Sequence, residues 1–321
     1  MIWFLYISIF TLSCGLLYLA GEMVVSGLMK LSRFLGWKEF VVAFIVMALA
    51  ASLPNLLVGI TSALQGHPEL SFGDVLGNNL AALTIAVALA VFFSPKKEIP
   101  ADSRTVQQTS RFTIIAAILP LILVLDGQLS ASDGIILIGC FFAYLLWLFA
   151  RSERFRLPYE KIIPCQPQSL KYHLLNILII FGGVILVAIA AQGIVYSAVK
   201  IAELLGISLV LIGILAVGIG NALPQIYFAV SSAKKNETWL ILGNLMGSVT
   251  IPATLVLGVV ALIHPITIPD ISLVFISRIF MIVTALLFVI FTYTGKKINR
   301  WESVILILLY FLFIILAILV S

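Results

Sequence analysis

The sequence predicts an all-α membrane protein of ten transmembrane helices arranged as two inverted five-helix repeats. Three observations predict it: the composition, the alternation of basic residues between apolar runs, and a self-similarity at a fixed offset. Of 321 residues, 62% are hydrophobic and 10% charged, and the mean hydropathy is +1.19. A soluble domain carries about 25% charged residues, so a water-exposed surface cannot be built from this chain. Ten spans of about 20 residues leave about 120 for connections, with no room for a sizeable soluble domain.

The apolar runs fall at 2–29, 39–65, 70–93, 112–126, 132–150, 173–199, 207–233, 238–262, 271–293 and 302–320. Each must satisfy its backbone internally, and the alternation of barrel strands is absent, so all ten are predicted as helices. The fourth is short and Pro120 interrupts it. The N-terminus lacks the basic flank of a cleaved signal and counts as the first span.

Seventeen of the nineteen Lys and Arg residues lie in connections 1–2, 3–4, 5–6, 7–8 and 9–10, whereas the opposite face has Lys200 and Arg278 falls within a span. By the positive-inside rule the loaded face is cytoplasmic and both termini face outside, in a plasma (inner) membrane. The net charge of +5 is therefore a topology signal, and no nucleic-acid partner is expected.

Sliding the chain by 170 residues aligns Leu35-Gly36 with Leu205-Gly206, Leu53-Pro54 with Leu223-Pro224, Gly73 with Gly243, Gly77 with Gly247 and Thr84 with Thr254, without a gap. Each half then holds five spans, and the odd number inverts the second half. The expected organisation is a first repeat at 1–150, a cytoplasmic linker at 151–172 and an inverted repeat at 173–321. Inverted repeats favour alternating access to a midplane site, which is the architecture of secondary transporters.

Corresponding helix interruptions are the best sequence pointer to such a site. Here they are Ala50-Ala51-Ser52-Leu53-Pro54-Asn55 with Gly73-Asp74-Val75-Leu76-Gly77-Asn78-Asn79, and Gly220-Asn221-Ala222-Leu223-Pro224-Gln225 with Gly243-Asn244-Leu245-Met246-Gly247-Ser248-Val249. Proline has no N–H for the carbonyl four residues earlier, so Pro54 frees the Ala50 carbonyl and Pro224 frees that of Gly220. The glycines let a neighbouring helix approach closely.

These motifs resemble the calcium/cation antiporter superfamily, which includes the sodium/calcium exchangers. Its members have ten spans in two inverted repeats, with GTSLPE-like motifs in the second and seventh helices and GNxxGSN-like motifs in the third and eighth. The resemblance implies cation antiport by alternating access at a site between those four helices. It also places the family's cation-binding glutamates on Asn55 and Gln225. The motif serines fall on Asn78 and Ser248, and the Asn or Asp ligands four residues later fall on Ala82 and Pro252.

The resulting candidate ligands are Ser52, Asn55, Asn78, Asn221, Gln225, Ser248 and Asp74, with the backbone carbonyls of Ala50 and Gly220. The cargo is a small cation: Na+, K+, H+ or Ca2+. Calcium takes six to eight oxygens and usually carboxylates, so amides at the centre favour a monovalent ion. Asp74 has three readings: a relocated cation ligand, a proton carrier that the amides of Asn55 and Gln225 cannot be, or a helix cap near the outer interface. Glu22, opposite Gln192 in the repeat, lies inside the first span and has the snorkelling reading beside a functional one.

A competing reading keeps the fold without cation transport, as a non-transporting membrane module or a carrier of a non-cationic solute. No cofactor and no obligate protein partner is expected beyond the bilayer, and the chain is not expected to be an enzyme. HExxH, GxSxG, P-loop and Rossmann fingerprints are absent, and His67, His173 and His264 are scattered. Asp74 and Asp126 share no intramembrane-protease signature. Cys14, Cys140 and Cys165 have neither disulfide nor metal spacing.

Overall fold

The computed structural model describes residues 2–34, 47–101, 104–150, 170–235, 238–268 and 271–320. Among the described residues the long helices are α1 (Ile2–Phe34), α2 (Met47–Leu64), α3 (Pro68–Phe93), α4 (Arg104–Leu123), α5 (Ala131–Ala150), α6 (Leu170–Leu205), α7 (Leu209–Lys234), α8 (Thr238–Ile251 continuing through Pro252–Val256 and Leu257–Ile263), α9 (Ile271–Tyr293) and α10 (Arg300–Val320). Large apolar side chains such as Phe4, Leu12, Leu146, Leu178 and Leu319 are exposed around the outside. That surface suits a hydrocarbon solvent and no other.

The repeat is reproduced piece by piece. Helix α3 is α-helical over Pro68–Ala81, widens to a π-turn over Ala82–Ala86 and resumes over Val87–Phe93. Helix α8 does the same over Thr238–Ile251, Pro252–Val256 and Leu257–Ile263, each boundary displaced by 170. In both π-turns a threonine hydroxyl, Thr84 or Thr254, donates to the carbonyl four residues back, Leu80 or Thr250. Another π-turn lies at Gly213–Gly218 in α7; its counterpart in the first repeat falls mostly outside the described residues. Such turns inside α-helices mark functional positions more often than chance.

Two short antiparallel ribbons close the ends of the bundle. Strand β1 (Glu98–Pro100) pairs with β4 (Lys297–Asn299), and β2 (Gln128–Leu129) pairs with β3 (Ile266–Thr267). The connections α3–α4 and α9–α10 therefore share one end, and α4–α5 and α8–α9 share the other. The first ribbon gathers Lys97 and Lys297 at its end of the molecule, with Lys297 paired to Glu98 at 2.7 Å. This agrees with the alternation of basic connections.

Helices α3 and α8 are buried almost throughout, while α1 mostly faces outward along α6. A core of α2, α3, α7 and α8 results, with α4, α5, α9 and α10 packed around it.

Several boundaries differ from the sequence expectation. Helix α4 begins at Arg104, eight residues before the apolar run at 112, and continues through Pro120. Its polar first turns are tied down locally: Ser110 donates to the Gln107 carbonyl at 2.8 Å, Thr113 to that of Thr109 at 3.0 Å, and the Tyr293 hydroxyl also donates to Gln107 at 3.0 Å. Helix α3 starts at Pro68 because proline suits a first turn that needs no N–H. Residues 39–46 of the second span and 151–169 of the linker lie outside the described residues.

Candidate functional site

The site is built on a glycine crossing. Helices α3 and α7 run in the same direction and touch backbone to backbone at Gly73 and Gly77 against Gly213 and Gly218. A methyl group added at Gly77 would lie 2.8 Å from the Ile214 Cα, and one at Gly218 would lie 2.8 Å from the Gly77 Cα. Only glycine permits that approach. Gly73 and Gly77 stood out in the sequence; Gly213 and Gly218 did not, because they precede the proline motif.

With the backbones this close, polar side chains one turn apart on each helix meet in two rungs. Asn221 Nδ2 donates to Asp74 Oδ1 at 2.8 Å, and Gln225 Nε2 donates to Asn78 Oδ1 at 3.0 Å. From α2, Asn55 Nδ2 donates to Asp74 Oδ2 at 3.4 Å. Toward α8, Asn78 Nδ2 donates to the Ser248 carbonyl at 3.3 Å and to Asn79 Oδ1 at 3.4 Å. All these side chains are buried, and Asp74 is 0% exposed.

This position excludes the helix-cap reading of Asp74. Helix α3 starts six residues earlier, its first turn carries Glu69, and the Asp74 carboxylate lies under α2 and α7. Among the described residues, the ion pairs are His67 with Glu69, Lys200 with Glu203 and Lys297 with Glu98, and none reaches Asp74. Two amide donors face its oxygens. A buried carboxylate compensated only by neutral groups is costly, and either a proton or a cation relieves that cost.

The acceptors for such a charge are present. Asn55 Oδ1, Asn221 Oδ1 and Gln225 Oε1 are buried without a hydrogen-bond partner. Buried amide oxygens are rarely left unpaired; two of these belong to the amides that hold Asp74 and the third to Gln225, which bonds Asn78 on the next rung. The Ala50 and Gly220 carbonyls, freed by Pro54 and Pro224, lie on the same two helices.

The serines donate along their own helices. Ser52 Oγ donates to the Ala48 carbonyl at 2.8 Å and Ser248 Oγ to that of Leu245 at 2.9 Å. Their protons serve their own helices; Ser248 meets the cluster through its carbonyl. Ala82 and Pro252, where the family ligands would fall, open the two π-turns. Among the described residues no group of three or more His, Cys, Asp or Glu could hold a metal, so the oxygens available around Asp74 are those of amides, backbone carbonyls and hydroxyls with one carboxylate.

Helix α1 flanks both proline breaks. A methyl group added at Gly21 would meet Pro54 Cγ at 3.6 Å, and one at Gly220 would meet Cys14 Sγ at 3.6 Å. Glu22 stays outside the cluster and is exposed on α1.

The sequence profile of the sodium/calcium exchanger protein family matches residues 5–150 and 175–319. A membrane protein of Methanocaldococcus jannaschii is 27% identical over 95% of this chain and 95% of its own length. The sodium/calcium exchanger MaX1 of Methanosarcina acetivorans is 24% identical over 96% of this chain and 98% of its own length. Among solved structures, the sodium-calcium exchanger NCX_Mj soaked with sodium and strontium superposes with a TM-score of 0.66 at 25% identity, covering 96% of this chain and 97% of that one.

Proposed function

The chain belongs to the sodium/calcium exchanger protein family, and from that premise we propose that it is a secondary active antiporter of a small monovalent cation, sodium or potassium, working by alternating access. The exchanged partner is a second such ion or a proton. The observation that carries this reading is Asp74, the one buried carboxylate among the described residues, held by the amides of Asn55 and Asn221, whose oxygens, like that of Gln225 on the next rung, are unpartnered.

Charge decides the valence. One carboxylate balances one monovalent cation, and the amide oxygens replace its water. A divalent ion would keep an uncompensated charge in a low-dielectric core, and calcium sites usually use several carboxylates. Loading exchanges donors for acceptors: half a turn of the Asn55 and Asn221 amides removes their N–H groups from Asp74 and brings their oxygens toward the ion.

In this reading the repeats at 1–150 and 173–321 rock about the glycine crossing, with the basic connections and the 151–172 linker in the cytoplasm and both termini outside a plasma membrane. The convergence of polar groups supports transport over a membrane module that kept only the fold, for which an apolar centre would serve. Tracer flux in proteoliposomes tests the proposal. Gradient-driven uptake of sodium or rubidium is expected, and absence of ion-gradient-dependent uptake of sodium, rubidium, calcium or protons would sink it.

A further inference from the structure

Helix α8 carries Pro252 in its interior, where the α-helical turns of Thr238–Ile251 give way to the π-turn. Proline has no N–H, so the carbonyl four residues back, that of Ser248, is deprived of the donor an α-helix would give it. The first repeat supplies the contrast. Ala82, at the equivalent position, keeps its N–H and donates it to the carbonyls of Asn78 and Asn79. The Ser248 carbonyl instead accepts Asn78 Nδ2, from the other repeat, at 3.3 Å.

That contact gives a direction to a chain of amides. The two ends of a side-chain amide have nearly the same shape, so its partners decide which end points where. A backbone carbonyl only accepts, so the NH2 end of Asn78 faces Ser248, and it also donates to Asn79 Oδ1 at 3.4 Å. Asn78 Oδ1 is then left for Gln225, whose Nε2 donates to it at 3.0 Å. With its NH2 end engaged, Gln225 has its oxygen over, and Oε1 is buried without a partner. The Asp74 rung is ordered in the same way. An ionised carboxylate only accepts, so it takes the NH2 ends of Asn55 and Asn221 and leaves both of their oxygens unpartnered. One acceptor-only group orients each rung, and the three amide atoms left over are all oxygens.

We infer that Pro252 is a positioning residue for cation selectivity: by freeing the Ser248 carbonyl it fixes Asn78, and through Asn78 it holds Gln225 with its oxygen, not its NH2 group, free for an ion. This role rests on the transport reading above. Without the Ser248 acceptor, the Asn78 and Gln225 amides can turn over as a pair and keep their mutual hydrogen bond. Gln225 would then offer N–H groups, which repel a cation and suit an anion or a neutral acceptor. A residue that brings no ligand atom of its own thus acts on the site through a main-chain oxygen one turn away.

Pro252→Ala returns an N–H to the Ser248 carbonyl and tests the role by setting stability against affinity. The helix gains a hydrogen bond, so Tm in detergent with choline chloride is expected to hold or rise. The KM for sodium or rubidium tracer in proteoliposomes is expected to rise about 10-fold, the worth of one hydrogen bond, with kcat little changed. A lowered Tm would mark the proline as merely structural and overturn the role, as would an unchanged KM. In an Asn78→Ala background, which removes the amide through which Pro252 acts, Pro252→Ala is expected to change KM by less than about 2-fold; the full effect in both backgrounds would break the relay. The rise in Tm that sodium chloride gives over choline chloride reads binding without transport, and it is expected to shrink in Pro252→Ala. If the wild type moves neither tracer yet is stabilised by sodium, the transport reading falls and that shift alone decides the role of Pro252. If sodium is neither moved nor bound, both fall.

Discussion

Asp74 on α3 and Asn221 on α7 meet at 2.8 Å, a bond between the two repeats that has no counterpart under the repeat symmetry, because the positions equivalent to Asn221 and Asp74 hold Ala51 and Asn244. The core charge therefore belongs to one half of the molecule. Asp74→Asn keeps the shape and the possibility of hydrogen bonding while removing that charge. The expected outcome is at least a 100-fold loss of cation affinity, since a charge pair at about 4 Å is worth roughly 4 kcal/mol at an effective dielectric of 20. Isothermal titration and tracer flux measure it; retained gradient-driven uptake would place the counter-charge elsewhere.

The same asymmetry bears on stoichiometry. With one carboxylate at the core, the wild type is expected to show a Hill slope of about 1 for its transported cation. The paired change Ala51→Asn with Asn244→Asp writes the Asp74–Asn221 pair into the other half. A second ion is expected to bind, with the slope rising toward about 2. An unchanged slope in the folded variant would mean that the second half-site lacks oxygens besides the carboxylate.

The repeat was legible because Gly73, Gly77, Thr84 and Pro54 recur at one offset, and each is a residue whose backbone or packing role restricts replacement. The depth of Asp74 was not legible. A span read from hydropathy begins where apolar residues begin, whereas α3 starts at Pro68 and α2 and α7 cover its face. Gly213 and Gly218 were invisible for a related reason: a glycine crossing is a property of two helices, and only one partner sat in a repeated motif. The serines could be read in sequence only as oxygens: that the Ser52 and Ser248 hydroxyls give their protons to carbonyls of their own helices, leaving the oxygen lone pairs as acceptors, needed the helix geometry.

The glycine crossing gives a stability test free of any assumption about cargo. Gly77→Ala drives a methyl group into the Ile214 backbone, where nothing flexible can yield, and overpacking of this kind costs about 1–3 kcal/mol. Gly139 on α5 has open space around it, so Gly139→Ala is expected to be neutral or stabilising by about 0.5–1 kcal/mol. Thermal unfolding in detergent should separate the two, with Gly77→Ala lowering Tm. Equal Tm values would mean that α3 and α7 do not hold each other at this distance.

Calcium selectivity follows from counting charge where Asn55 and Gln225 stand. Two carboxylates there would each add roughly 4 kcal/mol toward a unit charge at about 4 Å and an effective dielectric of 20, and twice that toward calcium. The wild type is therefore expected to bind calcium weakly or not at all, and the double change Asn55→Glu with Gln225→Glu to strengthen calcium binding more than sodium binding. The gain stays incomplete because Pro252 and Ala82, at the head of the two π-turns, offer no side-chain oxygen. Near Asp74 the new carboxylates also repel one another until the ion arrives, so the restored site should bind calcium better than it transports it. Isothermal titration of wild type and double mutant decides the matter. Micromolar calcium binding by the wild type would show that Asp74 with amide and backbone oxygens is already enough for a divalent ion.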